Sequence, residues 1–203
     1  MGYASGLVIG VILGCVMDTR KYEWLVKNYL RVEALTNLEV LHLSRVDISA
    51  KVPQIMANLS SLSSLFLKNC GLQGEFPMGI FQLPNLRFLS IRCNPYLMGY
   101  LPEFHRGSQL ELLLLAGTSF SGQLPETIGN LKSLKEFDVI PSSLVTQKLK
   151  LSKPSYNSFS GKIPSTFVNL LQLTYLSLSS NNFSSGTLHW LCNLTKLNYI
   201  ACA

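Results

Sequence analysis

Apolar residues return on a 24-residue beat along most of this chain. Leu35, Leu38, Leu41 and Leu43 set the pattern. It recurs at Leu59, Leu62, Leu65 and Leu67, then at Leu83, Leu86, Leu89 and Ile91. A weaker copy has Gly107, Leu110, Leu113 and Leu115. Later ones have Leu131, Leu134, Phe137 and Val139, and Leu170, Leu173, Leu176 and Leu178. A last copy, Leu194, Leu197, Ile200 and Cys202, stops where the chain stops. Inside each copy the period falls to two. Leu65 and Leu67 alternate with Phe66 and Lys68, so the leucines share one face of a strand and their neighbours the other. This spacing predicts short strands near Val40–Leu43, Ser64–Leu67, Phe88–Ile91, Leu112–Leu115, Glu136–Val139 and Tyr175–Leu178. One copy alone cannot bury its apolar side. Copies must stack, and self-similarity at this period means a solenoid built on a parallel sheet.

Two further positions recur. The eleventh after each first residue is small and polar: Cys70, Asn94, Thr118, Asn157 and Asn181. An inward Asn there can satisfy backbone groups where the chain turns, which would be costly to bury without partners. Pro53, Pro77, Pro125 and, one place late, Pro102 close the copies, as in Gly122-Gln-Leu-Pro125 and Gly161-Lys-Ile-Pro164. A fixed φ and a missing N–H suit an extended back strand or loop and not a helix.

The Leu-x-Gly-x-hydrophobic-Pro ending resembles the plant-type leucine-rich repeat. The strings LLQLTYLSLSSNNFSSGTLHWLCNLTKLNYI from Leu170 and NPYLMGYLPEF from Asn94 resemble plant receptor-like proteins of the disease-resistance type. The resemblance runs from Leu35 to Ala203. It implies an α/β-type leucine-rich-repeat solenoid, a right-handed horseshoe with its parallel sheet on the concave face, preceded by one N-terminal helix.

That helix is expected over residues 1–19. Gly2, Gly6, Gly10 and Gly14 fall every fourth residue in GYASGLVIGVILGCVM, a small-residue stripe on which membrane helices pack closely. Arg20, Lys21, Lys27 and Arg31 follow, with Tyr22 and Trp24 at the interface. The block resembles the transmembrane segment and short tail that end receptor-like proteins. A signal peptide is the alternative, but a basic n-region and a clean A-x-A site are missing. At about 1.5 Å per residue the stretch spans roughly 24 Å, short of the roughly 30 Å hydrocarbon core. Residues 20–34 then form a basic juxtamembrane segment. Residues 35–203 form the solenoid of about seven to eight repeats, truncated at the C-terminus.

Topology signals conflict. Positive charges after the helix place the repeats in the cytosol. The sequons at Asn58, Asn182 and Asn193 place them in a secretory lumen as N-glycosylation sites. The resemblance favours a single-pass plasma-membrane protein with extracellular repeats. The family order is the reverse, with helix and tail last. A fusion of one tail to a tandem neighbour's repeats would account for that, as would a non-functional fragment.

One copy is irregular. After Val139 the chain reaches Ile140-Pro141, and Ser152 and Pro154 occupy expected strand leucine positions. Residues 140–157 are therefore expected to form a degenerate repeat, with a bulge or loop.

Composition narrows the function. Hydrophobic residues make up 47% of the 203 and charged residues 14%, as a leucine-lined solenoid requires. The net charge of +6 is scattered, not gathered in the stripe of a nucleic-acid reader. The five cysteines form no framework; Cys70 and Cys93 read as core or near-core thiols, a bridge between them being the alternative. His42, His105 and His189 lie in separate copies without ligand spacing, and no G-x-S-x-G, phosphate loop or kinase signature occurs. Neither enzyme nor cofactor or metal binder is expected.

Function then falls to the outward strand positions, since concave solenoid surfaces are extended binding faces. The candidates are His42, Arg45, Phe66, Lys68, Phe88, Arg92, Leu112, Leu114, Glu136, Asp138 and Tyr175, with Leu112 and Leu114 expected as an exposed apolar pair. The resemblance implies a non-enzymatic recognition module for a protein or peptide ligand. It would act in defence or developmental signalling through a partner kinase packed on the glycine stripe. A soluble apoplastic inhibitor of cell-wall-degrading enzymes is the alternative.

Overall fold

A computed structural model of the protein describes residues 9–10, 37–141, 157–184, 186 and 188–202. Thirteen short strands among them are numbered along the chain. The front sheet holds β1 (Ile9–Gly10), β2 (Val40–His42), β3 (Ser64–Phe66), β5 (Phe88–Ser90), β7 (Leu112–Leu114), β9 (Glu136–Asp138), β11 (Tyr175–Ser177) and β13 (Tyr199–Ala201), in that order. The back sheet holds β4 (Gln73–Glu75), β6 (Tyr96–Gly99), β8 (Ser119–Gln123), β10 (Ser158–Gly161) and β12 (Asn182–Phe183). Pairing is parallel throughout. The six strands expected from the leucine spacing stand where they were expected.

The period of two decides which side chains are covered. Leu65, Leu89, Leu113, Phe137 and Leu176 point inward from successive front strands and are wholly buried. Leu67, Ile91, Leu115, Val139 and Leu178 form the next inward row. Behind them Phe76, Phe81, Phe104 and Phe120 pack ring against ring, with centroids 5.4 to 6.3 Å apart.

Between strand and back strand the chain must turn with its backbone buried, and the polar eleventh position serves that turn. Asn94 Oδ1 accepts the N–H groups of Cys70 (3.0 Å) and Leu72 (3.1 Å), while Nδ2 donates to the carbonyls of Leu67 and Ile91, both at 2.8 Å. Asn157 does the same two copies on. It accepts from Thr118 Oγ1 and the Phe120 N–H and donates to the carbonyls of Leu115 and Val139. Cys70, with a thiol where Asn stands elsewhere, keeps one of these bonds: Sγ donates to the Leu43 carbonyl at 3.1 Å. Cys70 and Cys93 are both free thiols, so no bridge joins them.

The segments after Pro53, Pro77, Pro125 and Pro164 differ from expectation, while Pro102 stands in a loop as expected. Gln54–Asn58, Met78–Gln82, Glu126–Asn130 and Ser165–Asn169 are single turns of 3-10 helix, each preceded by a proline in extended conformation. Proline fits there because the first N–H groups of a helix have no partner inside it. Its carbonyl still accepts, as Pro53 does from the Met56 N–H at 3.1 Å.

The irregular copy also differs from expectation. Leu112 pairs with Glu136, 24 positions on, but Glu136 pairs directly with Tyr175, 39 positions on. Residues 140–157 therefore add no rung of their own to the described front sheet. The rung begun at Leu131 is completed by Asn157, and the fifteen extra positions fall between Pro141 and Asn157, outside the described residues. Pro141 supplies a physical reason. Its counterparts Arg45, Asn69, Cys93, Gly117 and Ser180 all take positive φ, between 55° and 74°. The proline ring locks φ near −65°, so the regular turn cannot be made there.

Most of the block expected as a membrane helix lies outside the described residues. Ile9 and Gly10 are extended and pair with Leu41 and His42. Gly10 is thus in a strand and not on a helical stripe, and Gly2, Gly6 and Gly14 are outside the described residues. Among the described residues no helix is long and apolar enough to cross a membrane.

Candidate functional site

The front sheet presents its outward residues in two registered rows. Val40, Ser64, Phe88, Leu112, Glu136, Tyr175 and Tyr199 form the first; His42, Phe66, Ser90, Leu114, Asp138, Ser177 and Ala201 form the second. Each residue takes its place because its strand neighbours are inward leucines or their equivalents.

Toward β2 the face is aromatic and basic. The His42 and Phe66 rings lie 5.1 Å apart, tilted by 45°. Phe88, in the first row, is half-buried, and the Arg87 guanidinium sits 5.4 Å over its ring. Lys68 is half-buried beyond Phe66, and Arg45 is exposed at the turn that ends β2. Toward β13 the face is tyrosine-rich: Tyr175 and Tyr199 stack with centroids 4.5 Å apart and planes within 7°.

Between these ends the face is closed by an ion pair. Arg92 Nη2 meets Asp138 Oδ2 at 2.9 Å. The partners lie two rungs apart, roughly 9–10 Å across the sheet. The arm must cross the intervening rung, and the residue in its row there is Ala116, small enough to lie beneath it. This corrects two expectations. Asp138 is wholly buried, not an open contact residue, and Leu114 is buried, so Leu112 and Leu114 are not an exposed pair. Leu112 is half-buried. Burial lifts the Asp138 carboxyl above the ordinary carboxylate range, with Arg92 pulling the other way. Burial, with Asp138 beside it, also raises the Tyr175 phenol.

The rim of the sheet carries a charge ladder that the strand pattern did not announce. Glu111 Oε1 accepts from Arg87 Nε at 2.7 Å and also meets Arg87 Nη2, while Oε2 meets Lys135 Nζ at 2.7 Å. Arg87, Glu111 and Lys135 occupy the same place in three successive copies, so the period itself was the signal. These donors, Lys135 first, hold the Glu111 carboxyl below its ordinary value.

Elsewhere, Asn58, Asn182 and Asn193 are all exposed, and so are the hydroxyl residues of their sequons, Ser60, Ser184 and Thr195. A hollow of about 590 Å³ is lined by Lys162, Leu178, Asn181, Phe183, Trp190 and Cys202, none of them in the two outward rows. The arrangement on the concave face offers ring faces, cations and a carboxylate along an extended strip. That is recognition chemistry.

Known proteins match this picture. Residues 109–131 and 172–194 match the family model described as Leucine Rich Repeat. Receptor-like protein 6 of Arabidopsis thaliana is 45% identical over 98 residues, covering 48% of this chain and 10% of that protein. Receptor-like protein 9DC1 of Solanum pimpinellifolium is 33% identical over 131 residues, covering 63% and 14%. Receptor-like protein 31 of Arabidopsis thaliana is 36% identical over 200 residues, covering 81% and 23%. The chain thus spans between a tenth and a quarter of the length of these relatives. Among solved structures, the plant peptide hormone receptor RGFR1 in complex with RGF2 has a TM-score of 0.69 at 24% identity, covering 84% of this chain and 26% of that one. The Arabidopsis receptor kinase HAESA, in complex with the peptide hormone IDA and the co-receptor SERK1, has a TM-score of 0.66 at 30% identity, covering 83% and 26%. The chain folds as a leucine-rich-repeat solenoid and is similar in sequence to plant receptor-like proteins.

Proposed function

We propose that this leucine-rich-repeat solenoid, related to plant receptor-like proteins, is a non-enzymatic recognition module that binds a peptide or protein ligand along its concave face. The observation that carries the reading is the aromatic and basic end of that face: His42 against Phe66, Phe88 under Arg87, and Lys68 beside them. Aromatic and Arg anchors dominate the energetics of protein interfaces. The solved structure of HAESA, in complex with a peptide hormone, supports a peptide as the ligand class. The exposed sequons at Asn58, Asn182 and Asn193 support a secretory, glycosylated setting with the repeats outside the cell. On this reading the chain is membrane-anchored and acts in defence or development through a partner kinase.

The ligand reading is tested by selecting a displayed peptide library on the full chain. Selected peptides should lose at least tenfold in affinity for a Phe66→Ala/Phe88→Ala variant that keeps its thermal midpoint. Selected peptides that bind both forms equally would place recognition elsewhere. The setting is tested by glycosidase shift of the chain expressed in plant tissue. An unshifted band would put the repeats outside the secretory route.

A further inference from the structure

The back sheet carries an apolar stripe that the concave reading does not use. In β6 and the two residues after it, Leu97 and Leu101 are buried, and Gly99 faces the same way, against the Phe120 ring. Alternation throws Tyr96, Met98 and Tyr100 outward, where they are 50%, 49% and 59% exposed. A Cβ on Gly99 would stand 2.7 Å from Phe120, so glycine is what lets this strand sit down with its tyrosines up. Neighbouring strands present a different chemistry. Gln73 and Glu75 lie opposite Tyr96 and Met98 on one side, and Ser119 lies opposite Met98 on the other. Ser121 and Ser158, paired with each other, carry the neutral polar surface onward.

We propose that the Tyr96–Met98–Tyr100 stripe binds a neutral polysaccharide chain lying along the strand. Area decides against a stable protein partner. An aromatic side chain offers about 150–250 Å²; three side chains half exposed give roughly 300 Å², against roughly 800 Å² per partner in a standard interface. Shape and polarity fit a narrow polymer. At about 3.3 Å per residue the three outward positions span roughly 13 Å in a line. A pyranose polymer has apolar C–H faces to stack on tyrosine rings. Its edges carry hydroxyls to bond flanking amides and serines, such as the Gln73 carbonyl oxygen and Ser121. Glu75 is the one carboxylate among these flanking residues, so a polyanion is disfavoured and a neutral glycan is not.

The probes are hydroxyethylcellulose and glucomannan, with polygalacturonate as the charged comparison, in affinity gels of the full chain held in zwitterionic detergent. Wild type and a Tyr96→Phe/Tyr100→Phe variant should be retarded by at least one neutral polymer. Tyr96→Ser/Tyr100→Ser should lose at least tenfold in affinity, and Phe88→Ser on the concave face should lose nothing. Met98→Lys, a change at an exposed position, should also abolish retardation and guards against loss of fold in the double serine variant. Any of four results overturns the proposal: no retardation by either neutral polymer, equal retardation of the serine or lysine variants, retardation by polygalacturonate alone, or a stripe-dependent doubling of mass in light scattering.

Discussion

Asn94 holds two N–H groups and two carbonyls that would otherwise be buried without partners. Each orphaned buried group costs about 1–3 kcal/mol. Asn94→Ala should therefore destabilise by at least about 3 kcal/mol in denaturant unfolding, far more than the lost side-chain area warrants. Side matters as much as type. Leu65→Asp places a charge in the wholly buried row and should cost several kcal/mol, whereas Lys68→Asp, outward and half-buried, should stay within about 0.5–1 kcal/mol. Similar thermal losses in the two variants would refute the inside–outside assignment. Glu111 adds a pH signature. Its carboxyl is held below its ordinary value of 4.5, so its stabilisation is complete above that value and fades as pH falls below it. Its partners are about half exposed, which limits the effect to about 0.5–1 kcal/mol. Glu111→Gln should be less stable than wild type at pH 7 by that amount, with the difference shrinking below pH 4.5. Asp138 runs the other way: its raised value makes stability fall as pH rises from 3.8 to the folded value.

The rung from Leu131 to Asn157 shows what a single proline does to a repeated element. Five counterparts of Pro141 close their turns with positive φ, which proline cannot adopt. Removing residues 142–156 would restore the 24-residue spacing but leave Pro141 at the turn. Such a deletion should be less stable than the same deletion with Pro141→Asn by at least about 1 kcal/mol, since Asn tolerates the left-handed region. Equal melting temperatures would mean the turn is not what the proline blocks. The front strands were legible because leucine spacing fixes both period and face. The absence of a separate rung at 140–157 was not, because Ser152 and Pro154 could be aligned to a degraded strand until the Glu136–Tyr175 pairing was seen. The 3-10 turns were missed for a related reason: proline argues against helix interiors but is welcome just before a first turn. On the concave face, placement was legible and burial was not. Arg92 reaching Asp138 over Ala116 depends on three residues spread over 47 positions, and no local pattern reports it.

Across the molecule, the N-terminal block has two destinations that exclude each other. Paired to Leu41 and His42, Ile9 and Gly10 continue the front sheet by one strand and shield its edge. A membrane anchor would need those same residues inside a helix of about 20 residues. Ile9 and Gly10 cannot be in both, so the presence of lipid should decide between the strand and the helix. Cysteines placed by Gly10→Cys and His42→Cys, in a background lacking the native cysteines, sit at paired positions and should cross-link readily in aqueous buffer under mild oxidation. On reconstitution into phosphatidylcholine vesicles the yield should fall several-fold, and the chain should stay with the lipid after an alkaline wash. Undiminished cross-linking together with release by alkali would show that the block belongs to the solenoid alone. The anchored-receptor reading would then have no anchor in this part of the chain. Loss of the cross-link in buffer as well would remove the edge strand instead, and leave β2 as the outermost strand of the sheet.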